Sequence, residues 1–211
     1  MDIYASDEEK GEEIKQWWRD NGRAVVIGIV LGSAAIFSGR YWINHQATLT
    51  EEASHSYQQL ETYLNDDKKA EADQQMQQLQ NDFPSTPYAV FAAFDMAKKS
   101  ADAKDSEAAI KYLQWIIDHA QLVGHKALAQ LRLSQVLLAE SKFDAALELV
   151  NQSTAVSFKS LFAEVQGNIL VAQGKKSEAH TAYQAAMMTL QPGEPRQTLL
   201  QLKLDDVAIA Q

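Results

Sequence analysis

The sequence predicts an all-α protein, a single N-terminal transmembrane helix followed by an α-solenoid of helical hairpins. Three observations predict it. An uncharged apolar run, Ala24 to Gly39, stands between Arg23 and Arg40. Beyond it, nothing reads as a strand, and apolar residues recur with helical spacing. The four prolines, Pro84, Pro87, Pro192 and Pro195, fall in two clusters, and Gly124, Gly174 and Gly193 sit at expected turns. The long periodic segments between them are therefore uninterrupted. The 211 residues divide accordingly into a tail (1–22) with a short amphipathic helix, a membrane helix (23–43) and a repeat domain (44–211).

In the tail, Ser6-Asp7-Glu8-Glu9 has the spacing of a capping box, and Ile14, Trp17 and Trp18 share one face of the helix it starts. Two readings stand. That face lies on the inner leaflet before Asn21-Gly22 turns the chain into the bilayer, or the tail is solvated and its two tryptophans mark the interface.

The apolar run comes next. Continued through Tyr41, Trp42 and Ile43, with the Arg40 stem buried and its charge reaching water, the helix spans about 30 Å, one bilayer core. Ser33-Ala34-Ala35 has the small residues of a signal-peptide cleavage site. Upstream, however, Asp2, Asp7, Glu8, Glu9, Glu12, Glu13 and Asp20 outnumber Lys10, Lys15, Arg19 and Arg23, whereas a signal peptide starts short and positive. The run is read as a retained anchor. Trp17, Trp18 and Arg23 mark its inner boundary; Arg40, Tyr41 and Trp42 mark the outer one. Four basic residues precede the span and Arg40 alone follows it until Lys68, which predicts a cytoplasmic N-terminus. The repeat domain then lies across the membrane, in the periplasm for a bacterial inner membrane. Within the span, Gly28, Gly32, Ala35 and Gly39 form a small-residue face suited to close approach by another membrane helix. Small residues are also frequent in membrane helices for no such reason.

The repeat domain opens with the helix LTEEASHSYQQLETYL. Aligning the alanine after each turn gives Ala72, Ala108, Ala146 and Ala179, with spacings of 36, 38 and 33 residues. This is tetratricopeptide spacing, in which each helical hairpin buries its apolar face only by stacking on neighbours. Second helices present Met76/Leu79, Tyr112/Trp115, Leu147/Val150 and Tyr183/Ala186. First helices present Tyr88/Phe91/Phe94, Leu133/Leu137 and Phe162/Leu170. Gly167 takes the small-residue place between paired helices, with Ser134 and Met96 at the corresponding places. A final helix, PRQTLLQLKLDDVAIAQ, covers the last repeat with Leu199, Leu200, Leu202 and Leu204.

Composition and motifs exclude several functions. A net charge of −9 offers no basic footprint for nucleic acid. With no cysteine there is no disulfide framework, zinc ribbon or thiol nucleophile. The five histidines form no HExxH motif, and no glycine-rich phosphate loop exists, so no catalytic residue, metal, cofactor or small-molecule substrate is expected. A hairpin array offers a concave surface lined by first helices instead. The repeat alignment nominates Leu131, Gln135 and Leu138 from one hairpin and Glu164, Asn168 and Val171 from the next as a partner surface. The other reading of these positions is packing between hairpins.

The acidic start MDIYASDEEK, the block WWRDNGRAVVIGIVLGSAAIFSGRYWINHQ, the degenerate repeats and the closing LQLKLDDVA resemble the YfgM family of ancillary SecYEG translocon subunits. The resemblance implies a single-span bacterial inner-membrane protein with a periplasmic domain. It also implies association with SecYEG and with the membrane-anchored chaperone PpiD, and assistance to unfolded exported proteins leaving the channel. It brings no catalytic residues. The expectation is a non-enzymatic adaptor in which tethering raises the effective concentration of weak partners. Two alternatives are a tetratricopeptide scaffold for another envelope complex and an envelope stress regulator acting through the cytoplasmic tail.

Overall fold

The computed structural model describes residues 7–191 and 193–208. Among them are nine α-helices, one 3-10 turn at Val156–Phe158 and no strand: α1 (Asp7–Asn65), α2 (Lys69–Asp82), α3 (Pro87–Asp102), α4 (Ser106–His119), α5 (Val123–Ala139), α6 (Phe143–Asn151), α7 (Lys159–Ala172), α8 (Lys176–Met188) and α9 (Arg196–Asp206). Ser6 of the expected capping box lies outside the described residues. The chain falls into two compact units, one ending at Glu51 and the other beginning at Glu52.

In the first unit, the expected turn at Asn21-Gly22 does not occur, because α1 continues through it. The Asn21 side-chain amide donates to the Trp17 carbonyl at 3.1 Å, and the Trp18 ring lies over Gly22, where an added Cβ would sit 3.2 Å from it. A single mid-helix glycine costs about 1 kcal/mol relative to alanine, too little to break a helix sustained on both sides.

In the second unit, α3 pairs with α4, α5 with α6 and α7 with α8, α2 packs on α3 and α9 on α8, and the C-terminal end of α1 meets α3 where Lys99 donates to the Leu64 carbonyl. Each hairpin turns in the same way. Asp67, Lys104, Ser141 and Gly174 take positive φ (55°, 61°, 59° and 76°). The next residue's N–H reaches back to close the turn: Lys68 to Tyr63, Asp105 to Ser100, Lys142 to Leu137 and Lys175 to Leu170, each at 2.9 Å. The residue of positive φ itself donates to Leu64, Ala101, Leu138 or Val171. This pair of bonds is the Schellman motif, which satisfies carbonyls orphaned at the end of the first helix. Helix starts are local too. Thr86, before Pro87, accepts from the Ala89 N–H, and the Asp105 carboxylate accepts from the Ala108 N–H.

The turns correct the repeat register. Buried alanines with the same first-turn bond are Ala72, Ala109, Ala146 and Ala179, so the α3–α4 hairpin's equivalent is Ala109 and not Ala108, and the spacings become 37, 37 and 33. The same one-residue slip runs through α4, where Leu113 and Ile116 are buried and Tyr112 and Trp115 stay half-buried. The small-residue place in α3 is Ala97, with Met96 beside it. At the far end of α6 the register puts Ser153 where the other hairpins carry Leu79, Ile116 and Ala186; its Oγ is buried without a partner among the described residues.

Val150, Phe162, Val165 and Ile169 form one core cluster with Ala127, Leu131 and Ala146. A second cluster joins Leu170, Tyr183 and Ala186 to Leu200 and Val207. Each fully buried large apolar side chain contributes roughly 1.5–3 kcal/mol, which a lone hairpin could not collect. Only Leu200 and Leu204 of the four α9 leucines face this core. Leu199 and Leu202 are exposed, because 100° per residue puts 200, 204 and 207 on one face and 199 and 202 on another.

Candidate anchor and docking surface

The anchor is apolar on every side, so its large side chains have no place to hide. Val26, Ile27, Ile29, Val30, Leu31, Ile36 and Phe37 are all exposed, and α1 is long and apolar enough to cross a membrane. Gly28, Gly32, Ala35 and Gly39 follow one another at helical spacing along one side. A Cβ added at Gly28, Gly32 or Gly39 would meet nothing within 4 Å, in contrast to Gly22 under its tryptophan. Trp17 and Trp18 are 53 % exposed, on the N-terminal side of Arg23. After Arg40, Tyr41 and Trp42 are exposed, and Tyr41 stacks on His45 with centroids 6.2 Å apart.

In the second unit, the first helices of successive hairpins bring Tyr57 of α1, Tyr88 and Phe91 of α3 and His125 of α5 into an aromatic ladder with centroids 5.7–6.3 Å apart, edge-to-face except for the tilted Tyr57–Tyr88 pair. Phe91, expected in the core, is partly exposed here. Tyr57 donates its hydroxyl to Asp95 at 2.7 Å; burial first, then this carboxylate, raises its pKa. Further along the same helices, Lys98, Arg132 and Gln135 rim a trough of about 420 Å³ between α3 and α5. Its floor is small and apolar: Ala97, Ala101, Leu113 and Val136. Arg132 lies over the Phe94 ring, 5.0 Å from the centroid.

The nominated partner residues divide. Leu131 is a core residue, so the packing reading holds for it. Glu164 is buried and takes Arg196 on one carboxylate oxygen and Lys203 on the other, both at 2.7 Å. Asn168 accepts from Lys203 and from the Tyr183 hydroxyl, each at 2.9 Å. Those two residues therefore seat α9. Ser160 joins them, accepting from Arg196 at 3.2 Å and donating to the Ala186 carbonyl at 2.9 Å. Burial, then the charges of Glu164 and Asp206, push the Tyr183 pKa up to about 12. Gln135 and Val171 remain exposed and Leu138 half-buried.

Sequence reasoning passed over Arg132, Lys98 and the Tyr57–Asp95 pair. The signal was the repeat register: Tyr57, Phe94, Leu131 and Glu164 all stand ten residues before the positive-φ position, with Asp95 and Arg132 next to two of them. Among the described residues, no group of three or more His, Asp or Glu could hold a metal ion.

A family model described as a tetratricopeptide repeat-like domain matches residues 15–209. The chain is similar over nearly its whole length to proteins named ancillary SecYEG translocon subunit. The Haemophilus influenzae protein is 31 % identical, covering 98 % of this chain and 100 % of the relative. The Escherichia coli K12 protein is 26 % identical over 99 % and 100 %, and that of Aggregatibacter actinomycetemcomitans 29 % over 98 % and 100 %.

Proposed function

The chain belongs to the tetratricopeptide repeat-like family of ancillary SecYEG translocon subunits, and from that membership we propose that it is a membrane-anchored, non-enzymatic adaptor of the SecYEG translocon. Its N-terminus is cytoplasmic and its helical array periplasmic, as the basic residues ahead of the span favour. There it binds a PpiD-like membrane-anchored chaperone and assists proteins emerging unfolded from the channel. The single observation that carries this reading is full-length similarity to relatives bearing that name, anchor and array together.

The exposed small face of Gly28, Gly32, Ala35 and Gly39 supports a second membrane helix as contact, since these glycines pack against nothing in the described chain and still weaken the helix. Gln135, Leu138 and Val171 supply the remaining partner surface. Tethering places that surface near its partners at an effective concentration that makes weak, reversible binding sufficient.

Cross-linked membranes solubilised gently and captured through this protein should yield SecY and a PpiD-like protein. Absence of both sinks the adaptor reading, and recovery of another envelope assembly in their place redirects it. Because the chain has no cysteine, single-cysteine variants test orientation directly. Gln135→Cys should react with an impermeant maleimide from the periplasmic side and Lys10→Cys should not; the reverse pattern overturns the topology.

A further inference from the structure

Two cations of the second unit share one buried carboxylate. Arg196 and Lys203 each reach Glu164 at 2.7 Å. Arg132 and Lys98, which rim the same trough, are not neutralised in this way. Arg132 has no ion pair among the described residues, and its contact with Phe94 restrains the guanidinium without using any of its N–H donors. Among the described residues Lys98 reaches only Asp102, at 3.8 Å, with both side chains more than two-thirds exposed, and such a pair holds little.

The surroundings narrow the ligand. The alanines of the floor have no side chain long enough to keep a peptide backbone away, and Leu113 and Val136 offer apolar contact. On the α1 side of Lys98 the adjoining groove carries three carboxylates, Glu61, Asp95 and Asp102, against Lys98 and Lys99. A carboxylate approaching this face is attracted to Arg132 and repelled from that groove, which limits where along the helices it can settle. A polyanion as long as a nucleic acid would have to pass Glu61, Asp95 and Asp102, on a chain whose net charge is −9.

We propose that the α3–α5 trough is a docking site for an extended, acidic segment of a partner protein. A carboxylate pairs with the Arg132 guanidinium in its bidentate geometry, Lys98 adds a second charge, and small apolar side chains of the segment lie on the alanine floor. This deepens the adaptor reading and rests on it only in taking the ligand to be a protein segment.

The full-length protein in phosphatidylcholine nanodiscs, titrated into a short fluorescein-labelled peptide alternating alanine and glutamate, tests the site by anisotropy. Binding should be at least about tenfold tighter than for the glutamine counterpart and should weaken as salt is raised. Arg132→Gln should weaken it about tenfold, Lys98→Gln by less, and Arg132→Glu should reverse the preference toward a peptide alternating alanine and lysine. Equal binding of the glutamate and glutamine peptides overturns the proposal, as does unchanged affinity in Arg132→Gln with helical circular dichroism intact. Lys98 is an exposed position whose replacement leaves the core untouched, so its variant reads the site even where an Arg132 variant loses structure. Failure of SecY to co-purify overturns the adaptor reading and not the trough; loss of charge preference in the peptide titration does the opposite.

Discussion

Ser134 and Gly167 occupy the same place in neighbouring hairpins, seven residues before the positive-φ turn position, while Val150 and Tyr183 share the place nine residues after it. In the α7–α8 hairpin a methyl at Gly167 would lie 2.3 Å from the Tyr183 ring. In the α5–α6 hairpin the smaller valine leaves room for Ser134, whose hydroxyl bonds the Gln130 carbonyl. The backbone path is common to both, and volume is exchanged across the helix pair, as close packing requires. The two hairpins also differ ten residues before the turn, where Leu131 joins the core and Glu164 seats α9. One hairpin is an interior unit and the other a terminus.

The largest way to break this comparison is to add the methyl. Gly167→Ala should lower stability by about 3 kcal/mol in a denaturant titration, despite the better helix propensity of alanine. Ser134→Ala should stay within about 1 kcal/mol. Combining Gly167→Ala with Tyr183→Val imitates the α5–α6 hairpin and should recover much of the loss; no recovery would mean the ring is not what the glycine accommodates.

Next in size is the terminus. Glu164→Ala removes the carboxylate shared by two partly buried cations, leaving Arg196 to Glu194 and Ser160 and Lys203 to Asn168, and should cost about 2 kcal/mol. Faster amide exchange should be confined mainly to α9, and a uniform increase throughout the array would contradict its role as a seat for that helix.

A smaller and opposite effect is expected at the turns. Ser141→Gly relieves a left-handed residue and should stabilise by up to about 1 kcal/mol, whereas Gly174→Ala should cost about as much. Negligible changes in both would show that neither turn carries left-handed strain.

The last contrast is silent at neutral pH. Burial raises the pKa of Tyr112 to about 12, with the Asp73 carboxylate adding to it, and Tyr183 reaches about the same value for similar reasons. Unfolded tyrosine titrates near about 10, so the folded protein holds these protons longer. Their stabilising contribution is complete below about pH 10 and is lost as pH rises toward about 12. Thermal melts across that range should fall less steeply for Tyr112→Phe than for the parent.

Much of this fold is legible along the chain. The four-hairpin array, its closing helix and the small residue at Gly167 all follow from repeat spacing. The register of the α3–α4 hairpin was not, because Ala108 and Ala109 are adjacent and no glycine marks the turn at Lys104. Nor did helical period reveal that Tyr112 and Trp115 line a rim, since both are apolar enough to be core and polar enough to sit at its edge. Tyr112 reaches Asp73, and Trp115 stacks on His119. Of the six nominated surface positions, Gln135, Leu138 and Val171 stay at least partly exposed, Leu131 joins the core, and Glu164 and Asn168 are claimed by Arg196 and Lys203, more than thirty positions away.

Local properties were determined by the sequence alone. Hydropathy needs no partner, so Ala24 to Gly39 declares an anchor in isolation. A hairpin period needs only its own recurrence, and a Thr-Pro helix start acts within one turn. Tertiary structure decided whatever depends on pairs. It set which of α9's leucines are covered, why Gly167 has no side chain, and which cations reach the buried Glu164. Arg196 and Arg132 are indistinguishable as letters; one meets Glu164 across 32 residues and the other meets the face of Phe94 across 38. Those distances through the chain become contacts only when the hairpins stack, because a single hairpin leaves half its apolar surface in water.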